Sequence, residues 1–87
     1  MEVEGIEAGK FYKHSNGTVY AVIGFGFIER DMSPSVTYYA YDPTEEVKPL
    51  EKHTLFTREL DLFTGYIREG LKIEKRFKEC DEWGNLI

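Results

Sequence analysis

The dipeptide Asn16-Gly17 lies between two segments rich in aromatic and β-branched residues, and it constrains this chain more than any other feature. A two-residue Asn-Gly step supplies the positive φ values that a primed hairpin turn needs, so the flanking segments become neighbouring antiparallel strands. Phe11 and Tyr12 open the first strand, and Thr18 to Phe25 is its return. Val19, Tyr20, Val22, Ile23 and Phe25 suit a pleated, half-buried surface, while Gly24 and Gly26 stand where a coiled strand bends sharply or carries a bulge. The same Asn16-Gly17-Thr18 matches a glycosylation sequon, which is read as turn chemistry.

Downstream, residues 28 to 35 mix charge with Ser and Pro34 and read as a loop or a widened hairpin end. Val36 to Tyr41 is a third strand, with Val36, Tyr38 and Ala40 on one face and Thr37, Tyr39 and Tyr41 on the other. Thr44 to His53 is a polar excursion that suggests a helical turn after Thr44, with Glu45 and Glu46 at its favourable end. Leu55 to Arg58 is a fourth strand, and Glu59 to Phe63 suits one helical turn laid over a barrel end. Thr64 to Arg68 and Leu71 to Lys75 flank Glu69-Gly70 as a last hairpin, with Ile67, Leu71 and Ile73 expected to face inward. A helix over 71–82 competes, but its apolar positions make no clean 3.6-residue stripe. The expected fold is therefore mainly β: a small barrel or roll of about five short antiparallel strands with a short helical turn.

With 87 residues the chain has room for one small domain, and six Phe, six Tyr and one Trp supply its core. The expected division is an N-terminal arm over 1–8, from which Val3 and Ile6 tuck onto the core, a domain over 9–77 and a C-terminal tail over 78–87. A formal net charge of −5 makes polyanions and anionic membranes poor default partners. Lys72, Lys75, Arg76 and Lys78 cluster, but Glu69, Glu74, Glu79 and Asp81 interleave with them as on a mixed solvated face. Cys80 is the one cysteine, which excludes an internal disulfide and a multi-cysteine zinc site. Glu2, Glu4 and Glu7 stand where a signal peptide carries positive charge, and no apolar run approaches membrane-spanning length, so a cytoplasmic, soluble protein is expected.

The order Tyr12-Lys13-His14, Gly17, Tyr20, Val22, Gly24 resembles the opening of the bacterial and phage family known as domain of unknown function 1653, which reads G-x-Y-[RK]-H-Y-K-G-x-x-Y-x-V-x-G. Val36 to Ala40 is similar to that family's V-V-Y strand. Leu55 to Phe63 resembles its W-V-R-P-L-E-M-F tract, with Arg58, Leu60 and Phe63 matching in order, and Gly70 and Arg76-Phe77 resemble its close. The resemblance spans residues 9 to 77 and implies a small SH3-like barrel; it brings no function. The chain departs from the pattern at Ser15-Asn16, Phe56 and Glu59, and residues 44 to 54 look inserted.

No catalytic or metal-binding constellation stands out, and neither enzyme activity, metal nor cofactor is expected. His14 and His53 lack a ligand pattern, Glu59 and Asp61 advertise no cleft, and Cys80 has no base partner. The expectation is a non-enzymatic binding or adaptor module that recognises a protein segment or a small anionic ligand. Tyr12, His14, Tyr38 and Arg58 are its candidate ligand-binding residues, being polar or amphipathic groups on otherwise apolar strands. For Arg58 the competing reading is an internal salt bridge to Glu59 or Asp61; for Tyr38, Tyr39 and Tyr41 it is packing in the core and at its rim. A nucleic-acid-associated barrel, stacking bases on tyrosines beside the 72–78 basic stretch, and a phage-type acidic decoy are the alternatives. Unpaired edge strands also leave pairing with a second copy open.

Overall fold

The computed structural model describes residues 2–45 and 48–87. Its strands are β1 (Glu2–Val3), β2 (Ile6–Glu7), β3 (Phe11–His14), β4 (Val19–Ile28), β5 (Ser33–Ala40), β6 (Leu55–Glu59), β7 (Tyr66–Glu69), β8 (Lys72–Lys75) and β9 (Phe77–Cys80). A helical turn, α1 (Leu60–Phe63), follows β6, and a 3-10 turn spans Leu50–Lys52. Five strands form one antiparallel sheet in the order β6-β5-β4-β3-β9, while β1-β2 and β7-β8 are separate hairpins. The fold is thus mainly β and takes the open, rolled form, since no ladder joins β6 to β9 among the described residues.

The Asn-Gly hairpin forms, but not through the primed two-residue turn expected: Asn16 has no positive φ, and the Gly17 amide closes a turn onto the His14 carbonyl, leaving Gly17 alone in the left-handed position of a wider loop. Gly17 takes φ +96, His14 donates its amide to the Thr18 carbonyl, and Phe11, Tyr12 and Lys13 pair with Ala21, Tyr20 and Val19. The register of β4 on β5 shifts between Val22 and Gly24, the site where glycine spacing predicted a bulge, and this bends the long ribbon over the core. The ribbon is longer than the sequence suggested: β4 runs to Ile28 and β5 starts at Ser33. Pro34 sits there because its partner Phe27 lies near the hairpin end, where one missing amide proton disturbs little.

The inward face of the sheet gathers Tyr12, Val22, Val36, Tyr38 and Phe77 against Leu60 and Phe63 of α1. Phe63 and Phe77 stack with ring centroids 3.9 Å apart and planes 8° from parallel. No buried side-chain nitrogen or oxygen among the described residues lacks a hydrogen-bond partner.

Three expectations need correction, and a fourth lies partly outside the described residues. The sheet continues past residue 77, because β9 pairs along all of β3, and the following residues fold back: Asp81 Oδ1 accepts from the amides of Trp83 and Asn85, and Cys80 bridges Leu86. In the β7-β8 hairpin Leu71 is 100% exposed and Ile73 is exposed as well, so neither faces inward. The reason is register: Arg68 opposite Ile73 and Tyr66 opposite Lys75 turn that face away from the sheet, and Leu71 lies in the turn beside Gly70. The expected turn after Thr44 runs into Glu46 and lies partly outside the described residues, whereas a 3-10 turn forms later, at Leu50–Lys52. Finally, Arg58 makes no salt bridge to Glu59 or Asp61; Glu59 stands 3.9 Å from Arg30 instead.

Candidate functional site

Strand alternation and register place Tyr12, His14, Tyr38 and Arg58 on one face of the sheet. Tyr12 and His14 are two apart on β3, opposite Glu79 and Phe77 of β9; Tyr38 is opposite Phe56, and Val36 opposite Arg58. His14, Tyr38 and Arg58 converge on one ring, while Tyr12 packs edge-on to Phe63. Phe77 lies edge-on to His14 at 4.9 Å and to Tyr38 at 5.7 Å, and the Arg58 guanidinium carbon stands 5.9 Å from its centroid.

Convergence does not make all of them contact residues. Tyr12 is 2% and Tyr38 4% exposed, so both are supports rather than ligand contacts. The Tyr12 hydroxyl accepts the Glu7 amide at 2.9 Å, and burial pushes its phenol pKa up. Tyr38 accepts a hydrogen bond from Arg58 Nε at 3.2 Å and packs against the rings of Tyr20, Phe56 and Phe63. Tyr39 stacks on His53, and Tyr41, just past β5, lies tilted against Phe11, so all three rings are engaged within the chain.

The accessible members are His14 and Arg58. His14 Nδ1 accepts from the Asn16 amide at 3.1 Å. Burial holds its imidazole pKa below the ordinary 6.5; the Asn16 side chain opposes this, and the charges of Arg58 and Arg76 reinforce it. Arg58 meets no carboxylate among the described residues. With Nε tied to Tyr38 and its plane near Phe77, its terminal nitrogens are pre-oriented and unsatisfied by charge, a geometry suited to a carboxylate or phosphate. Beside it Phe56 is 43% exposed.

Arg58 and Phe56 belong to β6, an edge of the sheet. Its outer row of backbone groups has no partner strand among the described residues. Phe77, the ring that organises the site, was noticed in the sequence only as part of a closing motif. Nothing local marks it, because its role arises from pairing β9 with β3, more than sixty residues apart in sequence. Cys80 is buried, which pushes its thiol pKa up and away from nucleophilic use.

No family model matches this sequence, and no curated protein matches it. Among solved structures, the crystal structure of a DUF1653 protein from Bordetella bronchiseptica is similar, with a TM-score of 0.67 at 18% identity over 92% of this chain and 94% of that one. The two share a fold, so the resemblance read from motif order holds in three dimensions.

Proposed function

We propose that this chain is a non-enzymatic binding module that takes up an extended, acidic protein segment along the free edge of β6. An added strand would gain main-chain hydrogen bonds from the edge, and specificity would come from side chains presented at alternate positions. Arg58 would receive a carboxylate of the segment, and Phe56 an apolar side chain two residues away. The observation carrying this reading is Arg58 itself, fixed by the Tyr38 hydroxyl and Phe77 and lacking an anionic partner among the described residues.

The test is selection from a displayed library of random peptides on the immobilised domain, run beside Arg58→Gln and Tyr38→Phe variants checked for unchanged melting. Enriched peptides should carry Asp or Glu beside an apolar residue. Their binding should weaken at least about tenfold in Arg58→Gln, as expected for a charge-assisted hydrogen bond, and less in Tyr38→Phe, where the guanidinium is freed but present. No acidic enrichment, or equal binding by Arg58→Gln, would remove the proposal.

A further inference from the structure

Arg58 is not alone beside the Phe77 ring. Arg76 directly precedes Phe77; its carbonyl accepts the Ser15 amide at 3.0 Å and its own amide donates to the Gly65 carbonyl at 2.9 Å, which ties it between the end of β3 and the loop after α1. Its Nε donates to the Leu62 carbonyl at 3.1 Å. Leu62 adjoins Phe63, the ring that stacks on Phe77, so the two arginines border one aromatic stack, Arg58 from β6 and Arg76 from the chain entering β9.

Both guanidiniums are held in the same way. The Nε of each bonds a neutral oxygen, the Tyr38 hydroxyl for Arg58 and the Leu62 carbonyl for Arg76, and neither meets a carboxylate among the described residues. Capping a carbonyl of α1 accounts for the Arg76 Nε bond but leaves its terminal nitrogens without a structural role. The neighbouring carboxylates are engaged elsewhere, Glu59 toward Arg30 and Glu74 toward Lys72. His14 completes the group: its ring lies 4.9 Å from that of Phe77, and the charges of both arginines reach it. Because its Nδ1 accepts the Asn16 amide, the neutral imidazole carries its proton on Nε2, a donor with no acceptor among the described residues.

We infer that the acid received at Arg58 is a phosphate monoester, carried on a phosphorylated side chain of the extended segment and held by the terminal nitrogens of Arg58 and Arg76 and the Nε2–H of His14. The inference rests on the reading of β6 as the edge that takes up an acidic segment. One guanidinium fork pairs a side-chain carboxylate; a second fork with a neutral N–H beside it matches a group of three acceptor oxygens and about −1.5 to −2 charge. A polyanionic strand would meet the repulsion of a chain with net charge −5, whereas a single phosphate meets the local cations.

The experiment is a titration of the isotope-labelled full chain with phenyl phosphate and with benzoate, which share a ring and differ in the anion, followed by amide and arginine Nε NMR shifts. Phenyl phosphate should give saturable shifts centred on His14, Arg58, Arg76 and Phe77, with a dissociation constant near or below about 1 mM. Benzoate should bind at least about tenfold more weakly. Arg58→Gln and Arg76→Gln should each weaken phenyl phosphate at least about fivefold. Arg76→Lys, which keeps the charge but loses the fork, stands in where the glutamine variant melts early, and should weaken it at least about twofold. The inference fails if phenyl phosphate gives no saturable shifts, if the shifts map elsewhere, if benzoate binds as well, or if the Arg76 variants bind like the unaltered chain. Each of these leaves the acidic-segment reading standing on its own test; a peptide selection without acidic enrichment removes that reading, and the phosphorylated segment with it, even where phenyl phosphate binds.

Discussion

The rolled sheet and the β7-β8 hairpin are written in the same alternating, strand-forming pattern, yet they use it oppositely. In the sheet, Tyr12, Val22, Val36, Tyr38 and Phe77 are buried; in the hairpin, Tyr66, Leu71 and Ile73 are exposed. The difference is the presence of a second layer. Leu60 and Phe63 of α1 close over the sheet, whereas β7 and β8 pair only with each other, and their outward face of Tyr66, Arg68, Ile73 and Lys75 is uncovered. Alternation specifies a strand, but burial needs something to be buried against.

That contrast predicts unequal costs for similar losses of apolar side chain. The largest should follow Phe77→Ala, since Phe77 stacks on Phe63 and touches His14, Tyr20 and Tyr38 at once. A loss of about 3–5 kcal/mol is expected for a buried ring removed from such a cluster, read as a shift in the urea unfolding midpoint. A loss below about 1 kcal/mol would mean that the sheet does not depend on its aromatic layer and that the contrast with the hairpin is only apparent.

Those unequal roles explain what could be read from the sequence. The hairpin at Asn16-Gly17, though not its turn type, the bulge near Gly24, the strand at Val36 and the helical turn at Leu60 were legible because each depends on local chemistry: a glycine at positive φ, missing Cβ, period-two alternation and short apolar spacing. The facing of Ile73 and Leu71 was not, because it depends on a register and on a covering layer that no local pattern encodes. For the candidate site, the common face of Tyr12, His14, Tyr38 and Arg58 was legible from alternation. The packing of Tyr38 was the competing reading its sequence offered, but the burial of Tyr12 was not legible, since it comes from Phe63 arriving from a distant segment.

A smaller effect is expected where the sheet holds the β1-β2 hairpin. Tyr12→Phe keeps the ring on Phe63 but removes the hydroxyl that accepts the Glu7 amide. The expected loss is about 1 kcal/mol, the typical net worth of one hydrogen bond. Its distinctive sign is local: amide exchange at Ile6 and Glu7 should accelerate more than exchange in β4, because only the hairpin loses an anchor. Uniform acceleration would instead make this hairpin part of the same cooperative unit as the sheet.

The smallest effect sharpens the comparison from the hairpin's side. Leu71→Ser removes a side chain that is 100% exposed, so almost no apolar surface returns to water when the chain unfolds. The stability change should fall within about 0.5 kcal/mol, against several for Phe77→Ala. A larger loss would show that Leu71 is covered in solution. Because nothing among the described residues covers it, the cover would have to be another molecule, and dilution separates the cases: a self-associated hairpin would lose stability as the protein is diluted, whereas an uncovered one would melt at the same midpoint at every concentration.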